Sequence, residues 1–200
     1  MRVDGSGWYS WYYLPHWEQA GLVQFITFRL ADALPREVVA ELDDARRQGG
    51  STTWRREWEP RLDAGYGTCV LRDPRVASLV QSALRYFDGS RYRLHAWVVM
   101  PNHVHALIEP FPGVRVSPIV QAWKSFTARE INLLLGRSDR LWQREYFDRA
   151  IRDAGHYERV VAYIHANPVK AGLVADPSAW PWSSAYGNAG IPADFRDTEP

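Results

Sequence analysis

Apolar positions along this chain change their period several times, and each change marks an element. In "LVQFITFRLA" (22–31) they alternate roughly every second residue, which predicts a strand. "PREVVAELDDARRQG" (35–49) has Pro near its start, apolar residues at helical spacing and a terminal Gly, which predicts a helix. Residues 50–72 are irregular, although "RREWEPRL" fits a turn of helix. "DPRVASLVQSALRYFDG" (73–89) opens with an Asp cap and Pro and closes on Gly, a helix again. "RYRLHAWVVMP" (91–101) and "HVHALIEP" (103–110) read as strands joined by the turn pair Pro101-Asn102, and so as a hairpin. "SPIVQAWKSFTAREINLLLG" (117–136) carries the apolar stripe of a helix, "LWQREYFDRAIR" (141–152) alternates as a strand, and "AGHYERVVAYIHAN" (154–167) is a helix stopped before Pro168. Residues 1–21 are aromatic and turn-rich and read as an ordered arm outside the core.

The order is strand, helix, strand, strand, helix, strand, with one more helix at the end. That is the β-α-β-β-α-β order of a ferredoxin-like or RRM-like sheet, so the fold class is α+β with a mainly antiparallel sheet. A length of 200 residues suits a single domain, with a core over about 22–185, the arm at 1–21 and a tail at 186–200.

Composition narrows the class further. Hydrophobic residues make up 46% of the chain, enough for a sizeable core, and ten Trp with ten Tyr supply many packing surfaces, some of a kind that stack on unpaired bases. A single cysteine, Cys69, excludes a disulfide framework and a Cys-based zinc site within the chain. No apolar run approaches the ~20 residues of a membrane span, and the N-terminal residues lack the apolar stretch of a signal peptide; a cytoplasmic protein is expected. Net charge is +1, but residues 88–174 hold twelve Lys and Arg against eight Asp and Glu. That imbalance fits a phosphate-facing surface as well as an ordinary solvated one.

The chemistry concentrates in "VVMPNHVHALIEP" (98–110). Side chains two apart on a strand share a face, so His103 and His105 project together with Leu107, while Val104, Ala106 and Ile108 face the other way. Two imidazoles on one face can share a metal ion, although a His-x-His pair alone equally fits packing. In "YIHANPVKAGLV", Tyr163 and Asn167 are four apart on a helix and lie one turn apart on one face. Asn offers a hard carbonyl ligand suited to Mg²⁺ or Mn²⁺, and Tyr a phenol nucleophile. The plainer readings are a core aromatic for Tyr163 and a helix cap for Asn167. Tyr146, in "REYFDR", is a second candidate nucleophile that shares a face with Asp148 if the segment is a strand. His95 lies one strand before the pair and is a candidate neighbour of the site; His165 should point away from Tyr163, and His16 sits in the arm.

"MPNHVHALI", "LWQREYFDRAIRD" and "YIHANPVKAGLV", in this order, resemble the single-tyrosine HUH transposases of the insertion-sequence-200 type, and among them the REP-associated tyrosine transposases of bacteria. "ITFRLADALP" fits the same group, and the resemblance spans about residues 22–185. It implies the HUH endonuclease fold, with His103 and His105 as the metal pair, Val104 as the hydrophobic residue between them, Tyr163 as the nucleophile and Asn167 as the third metal ligand. It implies metal-dependent cleavage and rejoining of single-stranded DNA near hairpins through a 5′-phosphotyrosine, with Mg²⁺ or Mn²⁺ as cofactor and hairpin DNA as partner, acting as monomer or homodimer. Lys124, Arg129, Arg144, Arg149, Arg152 and Lys170 are the candidate phosphate contacts. Two other readings compete: a non-catalytic, domesticated hairpin-binding protein, and a metal-dependent hydrolase in which the histidines activate water.

Overall fold

The computed structural model describes residues 21–35, 37–39, 61–62 and 64–187, together with the course of two short strands in the N-terminal arm. Those strands, β1 (Gly7–Ser10) and β2 (Pro15–Glu18), pair antiparallel, so the arm holds a regular element that the sequence pattern did not suggest. Among the described residues, four further strands form the main sheet: β3 (Gln24–Arg29), β4 (Tyr92–Val99), β5 (His103–Pro110) and β6 (Phe147–Ala150). Their order is β4-β5-β3-β6, and every neighbouring pair is antiparallel. This is the expected ferredoxin-like arrangement.

Among the described residues, three helices of several turns cover the sheet. α1 (Pro74–Tyr86) starts where expected: the Asp73 carboxylate accepts from the Arg75 amide at 2.9 Å and Pro74 occupies the first turn. α2 (Val116–Leu135) stops at Gly136, whose φ of 62° lets the chain turn out through a left-handed cap. Both helices pack on one face, where Val76, Val80, Ile119 and Trp123 meet Ile26, Phe28, Val104, Ala106 and Ile108. α3 (Ala154–Lys170) lies on the other face, where Val160 and Ile164 meet Phe25, Val98 and Leu107. β3 and β5 are therefore covered on both sides. Each of their buried Val, Leu, Ile and Phe side chains contributes roughly 1.5–3 kcal/mol of burial.

Several boundaries depart from the sequence pattern. The helix over 35–49 is seen only at residues 37–39, and residues 40–60 lie outside the described residues. Within 50–72, residues 61–62 are helical and Val70–Arg72 form a 3-10 turn. The strand over 141–152 shrinks to Phe147–Ala150. Trp142 keeps only an isolated bridge to Leu30, because its ring is drawn into the core: it lies 4.8 Å from the Phe28 ring, and its indole N–H donates to Thr127 Oγ1 at 2.9 Å. α3 does not stop before Pro168 but runs on to Lys170. Proline removes one donor, and the turn beyond it closes with the Ala171 amide on the Asn167 carbonyl at 3.0 Å. Asn167 is thus an interior helical residue and not a cap.

β4 contains a bulge between Leu94 and Ala96. Before it, Tyr92 and Leu94 face α1 and α2; after it, Ala96 and Val98 face α3. The outer edge of β4 is covered by the tail: the Val99 amide donates to the Trp182 carbonyl at 2.8 Å and the Ser184 amide to the Trp97 carbonyl at 3.0 Å. Trp180 is buried, lies 5.2 Å from the Trp182 ring, and donates its indole N–H to the Val99 carbonyl at 3.0 Å. No helix among the described residues is long and apolar enough to cross a membrane. Trp180→Ala should lower unfolding free energy by about 3–5 kcal/mol in urea titration, whereas exposed Tyr186→Ala should stay within about 0.5 kcal/mol.

Candidate metal and nucleophile site

β5 leaves the Pro101-Asn102 turn with His103 as its first residue, and the Met100 amide donates to the His103 carbonyl at 2.9 Å to close that turn. His103 and His105 are each 1% exposed, on the face covered by α3, with ring centroids 4.7 Å apart. A buried imidazole needs its ring nitrogens satisfied or aimed at a ligand. Asn102 serves His103: its Oδ1 lies 2.8 Å from His103 Nδ1. Its Nδ2 donates to the carbonyls of Leu62 and Tyr66, each at 3.1 Å, which fixes Oδ1 as the acceptor. His103 Nδ1 therefore carries the proton, and Nε2 keeps its lone pair. Burial pushes the His103 pKa down to about 3, so the ring is neutral, the form that binds metal.

Thr27 holds His105 by a hydrogen bond, with Oγ1 2.8 Å from His105 Nδ1, because the β3–β5 register sets the two residues opposite each other. Phe25 stacks on the His105 ring at 5.3 Å and meets Tyr163 edge-on at 6.0 Å. These contacts hold both rings in place.

α3 brings Tyr163 to this point. Asp153 caps the helix by accepting from the His156 amide at 2.7 Å, and Val160 and Ile164 bury one stripe on the sheet. Tyr163 is half-buried, with Oη 3.4 Å from His105 Nε2. One turn on, Asn167 is fully buried, and neither Oδ1 nor Nδ2 has a hydrogen-bond partner. An orphaned buried carboxamide costs about 1–3 kcal/mol. It is the arrangement expected of a donor kept for a ligand. No cluster of three or more His, Cys, Asp or Glu occurs among the described residues. A metal here would be held by two imidazoles and one amide oxygen. The residues fit a hard divalent ion: one imidazole held neutral by burial, a second oriented by Thr27, and an oxygen donor left open.

The other candidates fall elsewhere. Tyr146 precedes β6 and packs toward the α1–α2 core, and Asp148, paired with Ile26, faces the same way; both lie across the sheet from the histidines. His95 is not a neighbour of the pair: its ring meets Glu109 Oε2 at 3.3 Å and the Tyr157 hydroxyl at 3.0 Å, and burial lowers its pKa against the raising effect of Glu109. His165 turns to Ser184 Oγ at 2.8 Å, away from Tyr163 as expected.

The candidate phosphate contacts divide as well. Lys170 lies by the site, with Nζ 4.8 Å from the Tyr163 ring centroid, and Arg149, opposite Phe25 on β6, shares its face. Arg144 and Arg152 are exposed on either side of β6. Arg129, on α2, pairs with Glu130 at 2.6 Å on the far side of the sheet. Lys124 donates to the Arg144 carbonyl at 2.7 Å, and burial pushes its pKa down to about 8. Sequence reasoning missed Thr27, Asn102 and Phe25. Asn102 was absorbed into the turn reading, and nothing in "ITFR" says which residue will stand opposite a histidine. It also missed Arg29, buried and in register with His103 on the same face.

The sequence model of a family described as "Transposase IS200 like" matches residues 68–167, which include both histidines, Tyr163 and Asn167. A REP-associated tyrosine transposase of Escherichia coli K12 is 31% identical over 95 residues, covering 48% of this chain and 55% of its own. A relative from Haemophilus influenzae is 28% identical over 99 residues, 44% of this chain and 56% of its own. The chain thus spans about half the length of the curated relatives it matches. A solved structure of a REP-associated tyrosine transposase bound to a REP hairpin shares the fold, with a TM-score of 0.57 at 21% identity over 94% of this chain and 90% of that one. With its family match across the half of the sequence that builds the histidine strand and the tyrosine helix, the chain belongs to the IS200-like transposase family.

Proposed function

We propose that this protein cleaves and rejoins single-stranded DNA beside hairpins, with Tyr163 as nucleophile and His103, His105 and Asn167 as ligands of Mg²⁺ or Mn²⁺. The observation that carries the proposal is the meeting of Tyr163 Oη with His105 Nε2 at 3.4 Å, beside a buried second histidine and a carboxamide without a partner. Similarity to REP-associated transposases, one of them solved on a REP hairpin, supports hairpin DNA as the substrate class and the cytoplasm as the place of action.

A phenol has an ordinary pKa near ~10 and attacks phosphate slowly without help. A divalent ion bound at this site supplies positive charge for the phosphate oxygens. Phe25 and His105 fix the direction in which Oη points. Tyr163 Oη forms a bond to phosphorus while the bond from phosphorus to the 3′ oxygen breaks. The phenol proton passes to solvent, which reaches this half-buried side chain, and the departing 3′ oxygen takes up a proton. The product is a 5′-phosphotyrosine and a free 3′-hydroxyl. Because the phosphotyrosine ester keeps the energy of the broken phosphodiester bond, a 3′-hydroxyl can attack it, release the Tyr163 phenol and reseal the strand with no nucleotide cofactor. Arg149 and Arg152 hold flanking phosphates.

Labelled hairpin DNA from the flanks of the gene, incubated with the protein and Mn²⁺, should give an adduct that survives denaturation. Tyr163→Phe should abolish the adduct and keep hairpin binding. Tight binding with no adduct in the wild type would favour the domesticated binder, and turnover of a small phosphoester that survives Tyr163→Phe would favour a hydrolase. Thr27→Val, nearly isosteric, frees His105 Nδ1 and should weaken Mn²⁺ binding to the DNA-free protein by about 10–100-fold in calorimetry. Arg152→Ala should weaken binding evenly across hairpin sequences and reduce the slope of log K against log salt by about 1.

A further inference from the structure

Tyr163, Asn167 and Lys170 follow one another at intervals of four and three, and therefore lie on one stripe of α3. The first is the nucleophile of the proposed reaction and the second a proposed ligand. The third has a defined place as well: Lys170 is exposed, and its Nζ stands 4.8 Å from the centroid of the Tyr163 ring. We infer that Lys170 is a catalytic residue, whose ammonium holds a non-bridging oxygen of the scissile phosphate against Tyr163 Oη. The inference rests on the proposed phosphotyrosine chemistry and assigns Lys170 to the reacting phosphate, not to the flanking backbone.

Three features of the site carry it. The first is direction. Side chains on a helix lean toward its N-terminus, so Lys170 reaches back past the Asn167 turn to the tyrosine. The ring face steadies the ammonium without neutralising it. The second is the absence of a competitor. Among the described residues no carboxylate pairs with Lys170. Glu109, the acidic residue on this face of β5, is bound to His95 at 3.3 Å and to Arg93 at 3.7 Å, four residues along the strand from His105. The third is the lining. Around the nucleophile stand Thr27, two imidazoles and a carboxamide, with Arg149 on the neighbouring strand. A fixed cation at the open rim of such a site attracts an anion, and the anion that must touch Tyr163 Oη is the phosphate.

The chemistry explains what the ammonium does. As Oη attacks, the bond to the 3′ oxygen lengthens and charge spreads over the phosphoryl oxygens. The proton from the phenol goes to solvent, the 3′ oxygen ends as a hydroxyl, and Lys170 keeps its own protons throughout. A charge placed before the reaction and aimed where negative charge grows stabilises the transition state more than the bound substrate. The reverse reaction crosses the same transition state, so rejoining depends on Lys170 as much as cleavage does.

Lys170→Met keeps the stem and removes the charge. The test compares it with wild type in three measurements: the rate of adduct formation in a single turnover at saturating hairpin DNA with Mn²⁺, the rate of rejoining from the isolated adduct, and hairpin affinity in EDTA. Both rates should fall on the order of 10²-fold, while affinity changes less than about threefold. Lys170→Arg, which keeps the charge but changes its shape, should recover part of the rate. Lys170→Gln, with a polar and neutral end, should behave as Lys170→Met does and separates loss of charge from disturbance of the helix end. Unchanged rates at saturation with weaker hairpin binding would make Lys170 an ordinary backbone contact and overturn the inference, as would no change in either. Failure of the wild type to form any adduct would instead overturn the phosphotyrosine reading, and this inference with it.

Discussion

The structure depends on one demand: β5 is buried on both faces, yet one face carries two imidazoles. An apolar interior does not accept such groups without partners. Thr27 and Asn102 meet the demand from opposite directions, one across the sheet and one from the turn that starts the strand. Each fixes a further part of the fold. Thr27 can reach His105 only in the observed β3–β5 register, since a slip by one residue would turn its hydroxyl to the other face. Asn102 ties the turn to the carbonyls of Leu62 and Tyr66, while the Leu71 amide donates to the Pro101 carbonyl. The segment leading into α1 is thus anchored to the histidine turn.

α3 completes the site from the other side and is held at both ends. Near its start, Tyr157 bonds to His95, which reaches Glu109, so the helix is joined to β4 and β5 beyond Tyr163 and the histidine pair. The bulge in β4 is what brings His95 to this position. Near its end, Pro168 is buried inside the helix one residue after Asn167. The orphaned Asn167 carboxamide lowers stability, and the packing of Val160 and Ile164 on Phe25, Leu107 and Trp180 offsets it. The fold therefore carries a buried amide without a hydrogen-bond partner on the same helix as Tyr163, across from the neutral buried His103.

Charge has a lesser part in the arrangement than its distribution along the chain suggested. The cations of residues 88–174 do not form one surface. Lys124 is occupied by a backbone carbonyl, Arg129 pairs with Glu130 across the sheet, and Lys170 and Arg149 stand on the side of Tyr163. Position relative to Tyr163 separates them, where count did not. The covered edge of β4 belongs to the same account: the tail satisfies its amides and carbonyls and leaves the α3 face as the place where polar groups converge.

Much was legible in the sequence because it depends on local period and spacing. The alternation in "HVHALIEP" placed His103 and His105 on one face and Val104, Ala106 and Ile108 on the other, and the interval of four put Tyr163 and Asn167 on one stripe. Asp73, Pro74 and Gly136 marked helix ends through their own side-chain and backbone chemistry. The ferredoxin-like order of elements followed from the same reading. What the sequence could not carry were relations between residues far apart in the chain. The Thr27 partner of His105, the Phe25 ring packed against both imidazole and phenol, the sorting of Tyr146 and His95 away from the site, and the passage of α3 through Pro168 were decided by pairing and packing. Local sequence sets which face a side chain takes on its own element. Which elements then meet, and in which register, is set by burial summed over the whole sheet.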